Sequence, residues 1–396
     1  MVPRHLTLAL LAAAAPAMAL GASLDAVVGR ALFERNWVSA PSSTQSDDGL
    51  GPLYDAPSCA SCHQQRPPED FDETTVQPGT IIRLGNARGA GDPAYGNQLQ
   101  TRGVSGQTPE ANPDIVWNVK DGRRAASITL YSQGFGALAQ DTKMALRRAP
   151  VLDGTGLLAQ VPESEILKQA QAQKRKGNGI GIAGELPWVT VNGKRVLGRF
   201  GWRATSLDLK AQIAMAFSRD IGLSTKAHPD PFGDCTARET ACRAGPHGAK
   251  TGEVEIPDSM IDLIVKHLES LEPAAPKQNA AEALFNRTGC AECHATLHLA
   301  DGTPVKAYTD LLLHRLGPEL DDGIGEGAAA PGQWRTAPLW NVAKSLKIVG
   351  LLHDGRARSV AEAVEWHGGE AAPARARFKA LNAADREALA AFVSGL

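Results

Sequence analysis

The sequence predicts a mainly α-helical protein with irregular loops and a few short hairpins, divided into two units of unequal size. Three observations favour this fold class. Amphipathic helix patterns occur at the start and the end of each unit, each unit contains a similar cysteine motif, and a proline-containing linker separates the two. With 396 residues, of which 43% are hydrophobic, the chain is long enough for two packed domains.

The composition excludes other classes of protein. Lys and Arg (41) nearly balance Asp and Glu (43), so we expect no broad basic surface and no nucleic-acid partner. Forty glycines and 25 prolines, with only 5% aromatic residues, indicate many loops and turns. This content argues against a long all-helical bundle.

The first residues have the three-part pattern of a secretory signal. Arg4 and His5 form a basic start, residues 6–15 are apolar, and Ala17-Met18-Ala19 offers small residues for cleavage. The apolar stretch is too short to span a bilayer stably, and a buried N-terminal helix is the alternative. The sequence therefore predicts a signal peptide over residues 1–19, export to a bacterial periplasm, and a mature chain without a membrane anchor.

Two C-x-x-C-H motifs are the strongest functional signal. Cys59-Ala60-Ser61-Cys62-His63 and Cys290-Ala291-Glu292-Cys293-His294 both have the pattern that attaches haem c. In this pattern two thiols add to the haem vinyl groups, and the adjacent histidine binds the iron. Zinc would need further ligands at short spacing near each motif, and neither motif has them. We therefore predict two haem c groups, with His63 and His294 as axial ligands.

The remaining cysteines, Cys235 and Cys242, lie in a polar loop. In an oxidising compartment this pair predicts a structural disulfide. A redox-active pair is the alternative. Against it, the spacing is not C-x-x-C, and no helix start or basic neighbour clearly lowers a thiol pKa.

A degenerate repeat accompanies the two motifs. Ala31-Leu32-Phe33-Glu34-Arg35 precedes the first motif, and Ala283-Leu284-Phe285-Asn286-Arg287 precedes the second. Both segments lie on predicted amphipathic helices, over about residues 24–36 and 279–287. In the first copy, a longer insertion separates the repeat from the cysteines.

Each unit also ends in a predicted helix. Asp258 opens the helix of the first unit and Asn382 that of the second, and both are good N-cap residues. A helix before the motif and another at the end are typical of cytochrome c. Residues 272–278 form the linker. We therefore predict two cytochrome c-like domains, residues 20–275 with large insertions and residues 276–396.

The insertions of the first unit cover about residues 80–250 and have little helix signal. Residues 126–131 and 187–191 have strand patterns, and Asn192-Gly193 is typical of a hairpin turn. Residues 162–175 form one predicted helix. We expect the rest to form loops and hairpins that pack over the first haem.

Four histidines after His294 are candidates for the far-side ligand of the second haem. His298 is predicted on the same helix as His294 and directed away from the opposite haem face. A core or haem-edge role for His314 is as good an interpretation as a ligand. His353 lies in a tight turn, and His367 ends a predicted helix, where a side chain can face inward. Spacing alone favours His367 over His353.

Four segments carry a resemblance to a known family. They are LGPLYDAPSCASCH (50–63), LGRFGWRA (197–204), LFNRTGCAECH (284–294) and WRTAPLW…LLHDGRARSVAEAVEWHGG (334–369). They resemble the bacterial di-haem oxidoreductase family, whose members are described as peroxidases and sometimes as thiol oxidoreductases. The resemblance covers nearly the whole mature chain. The C-terminal part is also similar to the di-haem cytochrome c peroxidases and to the di-haem enzyme of methylamine utilisation.

The resemblance implies roles for several further residues. In those relatives the helix after the His-Asp-Gly turn carries a Met or Tyr as far-side ligand, and His367 falls at that position here. A bis-histidine iron has a lower potential than a His/Met iron. Arg335 and His353 are then haem-pocket residues. Trp202 and Trp366 are the two tryptophans to test in electron transfer, although most tryptophans of the chain are expected to pack in the core or against haem.

Peroxidases of this class need one haem with an open position and a group that moves protons. The histidines that follow His63 have no compelling context as ligands (His228, His247 and His267). Met144 or Met215 could fill the position instead. Gln100 and Arg102 are candidate polar residues on the open side, and no other catalytic group is identified.

The sequence therefore predicts a periplasmic di-haem c-type oxidoreductase. It would take electrons from a small redox protein at the C-terminal haem and reduce hydrogen peroxide or another small oxidant at the N-terminal haem. One alternative is a non-enzymatic electron-transfer cytochrome c. A second is a thiol oxidoreductase that uses Cys235 and Cys242.

Overall fold

A computed structural model of the protein describes residues 23–44, 46–63, 78–176, 181–275 and 279–396. The predicted signal peptide, residues 1–19, and linker residues 276–278 lie outside the described residues. The α-helices of the described residues are α1 (Leu24–Glu34), α2 (Cys59–Cys62), α3 (Thr155–Gln160), α4 (Glu163–Lys176), α5 (Leu209–Ala216), α6 (Thr240–Arg243), α7 (Asp258–Glu269), α8 (Glu282–Thr288), α9 (Val342–Ile348), α10 (Val360–Glu365), α11 (Ala372–Ala380) and α12 (Ala383–Ser394).

The β-strands of the described residues are short and spread along the chain. They are β1 (Val38–Ser39), β2 (Asp48–Leu50), β3 (Leu53–Tyr54), β4 (Thr80–Gly85), β5 (Gln98–Leu99), β6 (Arg102–Gly103), β7 (Asn112–Lys120), β8 (Arg123–Tyr131), β9 (Lys143–Arg148), β10 (Trp188–Val191), β11 (Lys194–Leu197), β12 (Leu297–His298), β13 (Pro304–Val305), β14 (Leu313–Arg315) and β15 (Gln333–Arg335).

The prediction of a mainly α-helical fold is wrong. Helices account for only 32% and strands for 20% of the protein, and the strands form many small sheets. The unpredicted strands lie largely between the two cysteine motifs, where more residues form β-strands than the sequence predicts. Most strands there have only two to six residues, too few for apolar alternation to identify them.

Two antiparallel sheets organise the segment that follows the first motif. One has the strand order β5-β4-β9, and the other is the long hairpin of β7 and β8. The predicted strand at 126–131 lies in β8 and is confirmed. The predicted hairpin is also confirmed, because β10 and β11 pair across Asn192-Gly193. These two residues have φ angles of 50° and 74°, which asparagine and glycine tolerate better than other residues.

Helices α1 and α7 cross at close range near the first motif. A Cβ atom at Gly29 would lie 1.9 Å from the carbonyl oxygen of Leu263, so this crossing requires glycine. The crossing buries Leu32, Phe33 and Ile264 in the largest apolar cluster of the described residues. The predicted helices at 24–36 and after Asp258 are thus both present and packed together.

Helices α8 and α12 pack together near the second motif in a similar way. The rings of Phe285 and Phe392 lie 5.7 Å apart, and Tyr308 contacts both rings edge-on. Leu389 and Val393 of α12 complete this side of the cluster. The predicted helix after Asn382 is confirmed, and the side chain of Asn382 caps it by accepting from the Asp385 amide at 2.8 Å.

Buried ion pairs connect the insertion to the C-terminal part of the chain. Asp322 pairs with both Arg147 and Arg203, and the Arg203 contact is 2.7 Å. Glu326 pairs with Arg83 at 3.4 Å and with Arg147 at 3.5 Å. Burial alone would raise the pKa of Asp322, but the charges of the two arginines outweigh it and lower the pKa.

Among the described residues, no helix has both the length and the apolar character needed to cross a membrane.

Candidate functional site

The two C-x-x-C-H motifs form an α-helical turn and a 3-10 turn that share one backbone hydrogen bond. The amide of His63 donates to the carbonyl of Cys59, and the amide of His294 donates to the carbonyl of Cys290, both at 2.9 Å. Ser58 caps the first turn by accepting from the Ser61 amide. In both motifs, this backbone bond fixes the histidine immediately after two closely spaced thiols.

The histidine that follows each cysteine pair is held through one ring nitrogen. Nδ1 of His63 lies 2.9 Å from the Pro150 carbonyl oxygen, and Nδ1 of His294 lies 2.8 Å from that of Tyr308. A carbonyl partner requires Nδ1 to carry the proton, which leaves Nε2 as a lone-pair donor. Neither Nε2 atom forms a hydrogen bond within the described residues. Both rings are therefore oriented as metal ligands are.

The degenerate repeat places a phenylalanine against each of these rings. Phe33 lies 6.2 Å from His63, and Phe285 lies 6.4 Å from His294, centroid to centroid. Each copy of the repeat therefore contributes an aromatic ring beside the motif histidine.

The four thiols of the motifs are free and unsuited to act as thiolates. Burial raises the pKa of Cys59 to about 12. Burial also raises the pKa of Cys62, Cys290 and Cys293. A redox-active C-x-x-C pair needs the opposite shift, so this environment argues against that chemistry and is compatible with thioether formation.

His367 is held in the same way as the two motif histidines. It lies two residues beyond α10, and its Nδ1 is 2.7 Å from the Ala363 carbonyl oxygen. Burial, with a smaller contribution from the charge of the neighbouring His367, lowers the pKa of His294 to about 4. The structure therefore brings these two rings near each other. No described histidine has a corresponding effect on the pKa of His63, which burial lowers.

The other histidines of the second unit are engaged elsewhere. Nε2 of His314 lies 2.8 Å from Asp310, and its Nδ1 lies 2.8 Å from Glu370. Ligand atoms of Cys293, Asp310 and His314 lie within 4.8 Å of one another, but both nitrogens of His314 already have carboxylate partners. The helical placement predicted for His298 is wrong, because His298 lies on β12 and contacts Glu165.

The ring of His353 packs against the face of a tryptophan. Its ring stacks on Trp334 with centroids 3.8 Å apart and an angle of 6° between the planes. Arg147 and Arg203 lie over the same indole. Burial and these cations hold the pKa of His353 well below its usual value, so the ring is neutral.

Trp202 and Trp366, the two tryptophans singled out from the sequence, share one apolar cluster with Trp334. Trp366 is buried one residue before His367, and Trp202 donates from Nε1 to the Arg148 carbonyl at 2.9 Å. The pKa of Arg148 responds to the charge of Cys62, which places this arginine near the first motif. The cluster therefore includes one tryptophan that is bonded to Arg148 and another that precedes His367 in the chain.

Arg335 has the N–H donors expected of a haem-pocket residue, but two of its nitrogens already donate to backbone carbonyl groups. Nε donates to Gly201 at 3.0 Å, and a terminal nitrogen donates to Thr336 at 3.1 Å. Burial lowers the pKa of Arg335 to about 10.

A cavity of about 320 Å³ lies near the first motif, a volume within the range of small-molecule sites. Its wall includes Arg83, Arg147, Trp202, Met215, Arg219 and Asp220. The charge of Asp220 raises the pKa of Cys59, which places this part of the wall near the cysteines. The wall combines apolar side chains with three arginines and two acids, and it includes none of Cys59, Cys62 and His63, so the cavity lies beside the motif and does not enclose it.

Three other residues proposed for the open side do not line this cavity: Gln100, Arg102 and Met144. Gln100 is buried and donates to the Arg219 carbonyl at 2.9 Å, and Arg102 is exposed on β6. Met144, on β9, is the cross-strand partner of Leu84, which lines the cavity, but Met144 itself does not line it. Of the two methionines considered, only Met215 lines the cavity.

Asp55 and Asp220 are site residues that the sequence did not identify. Gln98 donates from one nitrogen to both carboxyl groups, at 2.8 Å and 2.7 Å. Burial raises the pKa of both, and that of Asp55 reaches about 7. Asp55 lies within the segment that resembles the family, but its partners are 43 and 46 positions away. No short motif joins these residues.

Cys235 and Cys242 are joined by a disulfide in the structure. Both cysteines are buried and pack with Leu53, at a distance in sequence from either C-x-x-C-H motif. The loop that they close also contains the buried Glu239.

Comparisons with known proteins identify the family. No curated protein and no solved structure matches the chain. Residues 126–396 match the model of a family described as "Di-haem oxidoreductase, putative peroxidase". The match covers more than half of the chain and includes the second motif, Trp202, Arg335, His353 and His367. Together with the paired cysteine motifs and their oriented histidines, this match means that the chain belongs to the di-haem oxidoreductase family.

Proposed function

We propose that the protein is a periplasmic peroxidase with two covalently attached haem c groups. It takes electrons from a small redox protein at the C-terminal haem and reduces hydrogen peroxide at the N-terminal haem. The haems supply one-electron redox chemistry and a place where peroxide can bind iron. The signal pattern of residues 1–19 supports export, which attachment of haem c requires.

The observation that carries this proposal is the difference between the two motif histidines. His294 has a second oriented imidazole, His367, close enough to affect its pKa. His63 has no such histidine among the described residues, and a polar cavity lies near its motif instead. An electron-transfer centre is favoured by two fixed ligands, whereas a reactive centre needs an open position.

The chain contributes binding and orientation to both sites. Cys59, Cys62, Cys290 and Cys293 would hold the two haems covalently. Nδ1 bonds fix the ligand histidines, and Arg83, Arg147 and Arg219 offer positive charge to carboxylates within the cavity. The tryptophan cluster of Trp202, Trp334 and Trp366 provides aromatic packing, and Trp366 precedes His367 in the chain.

A non-enzymatic electron carrier is a second candidate, favoured by one observation. Met215 lines the cavity and could bind the iron opposite His63. Both irons would then have six ligands, and peroxide would find no open position.

Spectra and turnover of the purified holoprotein separate the two candidates. We expect the denatured chain to retain haem stain. We expect the native holoprotein to give one high-spin and one low-spin ferric signal and to turn over peroxide with a reduced small electron carrier. Cys62→Ser should abolish turnover and remove one haem, with Cys235→Ser as a matched control that retains both. Two low-spin signals without turnover would instead support the carrier, and Met215→Ala would then convert one signal to high spin.

A further inference from the structure

The acid pair near the first motif has one oxygen with no partner. Both oxygens of Asp55 are engaged, because Thr101 donates to Oδ1 at 2.9 Å and Gln98 donates to Oδ2 at 2.8 Å. In Asp220, Gln98 donates to Oδ1 at 2.7 Å. Oδ2 of Asp220 accepts no hydrogen bond from any described residue, and Asp220 lines the cavity.

The placement of Asp220 differs from that of the structural carboxylates nearby. Asp322 and Glu326 each form ion pairs with arginines, which hold their pKa values below the usual range. Asp220 forms no ion pair within the described part of the chain, although the more distant charges of Arg83 and Arg219 act on it. Asp220 is half-buried, and a carboxylate that is withdrawn from water without a paired cation often marks a functional site.

The backbone holds this carboxyl group in place. Asp220 lies in the π-helical segment Phe217–Ile221 that continues α5, and its carbonyl accepts from the amides of Asp55 and Ala56 at 2.9 Å and 3.1 Å. These bonds attach Asp220 directly to the segment that leads into the first motif. The orientation of Asp220 therefore depends on that segment.

We infer that Asp220 is the catalytic residue that moves protons on the oxidant in this cavity, and that Asp55 is a positioning residue that acts through Gln98. The inference rests on the proposed peroxidase function. Asp220 takes the proton from one peroxide oxygen and delivers it to the other, the O–O bond breaks, and that oxygen leaves as water. Two electrons from the reduced redox partner and two protons from solvent convert the remaining oxygen to a second water.

Glu110 is the matched control for this assignment. Like Asp220 it is a carboxyl group with one unpartnered oxygen and a pKa that burial raises, but it does not line the cavity. Asp220→Asn, Asp220→Glu, Asp55→Asn and Glu110→Gln would each be compared with the unchanged protein, after haem stain and optical spectra verify two attached haems.

Two measurements test the role of Asp220. The first is peroxide turnover, where we expect Asp220→Asn to lower kcat/KM by about 100-fold, the usual contribution of a proton-transfer group. The second is the rate at which ferric protein binds cyanide. Hydrogen cyanide must lose its proton on binding, so the rate should fall by about 10-fold or more in Asp220→Asn and recover in Asp220→Glu. Asp55→Asn should shift the pH midpoint of cyanide binding.

The outcomes separate the inference from the proposed function. Unchanged cyanide binding in Asp220→Asn, or an equal loss in Glu110→Gln, would overturn the role of Asp220. Absence of peroxide turnover in the unchanged protein would contradict the proposed function, while cyanide binding would still report on Asp220. If the unchanged protein binds no cyanide, the cavity gives no access to an open iron and the inference is wrong.

Discussion

Three histidine side chains in this protein have the same arrangement. His63, His294 and His367 each direct Nδ1 to a backbone carbonyl and keep Nε2 free of partners among the described residues. A histidine in a protein core usually satisfies both nitrogens, as His314 does with Asp310 and Glu370. The contrast separates these three histidines from His314.

Replacing His367 tests the far-side ligand of the second haem. We expect His367→Met to raise the reduction potential of that haem, because a thioether stabilises ferrous iron better than an imidazole does. His367→Ala should convert its low-spin signal to high spin. His298→Ala is the control, since His298 contacts Glu165. A potentiometric titration with optical and spin-resonance detection measures both effects, and an unchanged low-spin signal in His367→Ala would exclude His367.

The disulfide can be removed without touching either motif. The bond closes a loop between cysteines seven positions apart. We expect the double variant Cys235→Ser/Cys242→Ser to lower the free energy of unfolding by about 2–3 kcal/mol through the entropy of the open loop. Peroxide turnover at a temperature where the variant stays folded should be unchanged. Loss of turnover in the folded variant would favour the thiol oxidoreductase alternative.

At the scale of residues, the sequence predicted what short motifs encode. Both cysteine pairs and their adjacent histidines follow from local spacing, and the resemblance pointed to His367. Asp220 was missed because Gln98, which holds it, is 122 positions away. Such a contact exists only after the chain folds, and no local pattern reports it.

At the scale of elements, the crossing of α1 and α7 depends on the absence of a side chain at Gly29. We expect Gly29→Ala to destabilise the protein by about 2–3 kcal/mol, because a methyl group would force the helices apart. Val28→Ala on the exposed face of the same helix should have a small effect. Chemical denaturation followed by far-ultraviolet circular dichroism measures both values. Equal stability of the two variants would contradict the close crossing.

The helices next to the motifs were predicted from the sequence, whereas most of the strands were not. The helices near the motifs have apolar residues at regular spacing, and good N-caps such as Asn382 indicate where they begin. Strand β5 has two residues, and its partner β4 is recognised only through contacts with β9, about sixty positions later. The β7–β8 hairpin has nine residues in each strand, but many of its side chains are exposed. The sequence therefore predicts fewer strands in the insertion than the structure contains.

At the scale of the whole molecule, buried carboxyl groups should determine how stability varies with pH. Burial raises the pKa of Glu110 well above its usual value and also raises that of Glu239. The folded protein thus binds these protons more tightly than the unfolded chain, so their stabilising contribution is lost as pH rises through the folded pKa values.

We therefore expect the contribution of Glu110 and Glu239 to the free energy of unfolding to fall as pH rises above the ordinary pKa of a glutamate. Glu110→Gln should reduce this slope, because a neutral amide replaces the group that must hold a proton. Denaturation curves at several pH values test the prediction. A Glu110→Gln variant with the same slope as the unchanged protein would show that Glu110 does not contribute to the pH dependence of stability.

The ion pairs of Asp322 and Glu326 have a consequence for any attempt to divide the protein. Their arginine partners at positions 83, 147 and 203 all precede the predicted boundary at residue 275. A fragment that begins after this boundary would lose all three arginines and would expose to water the surface that they cover. Separately expressed halves should therefore fold poorly alone and recover structure when mixed, as complementing fragments do.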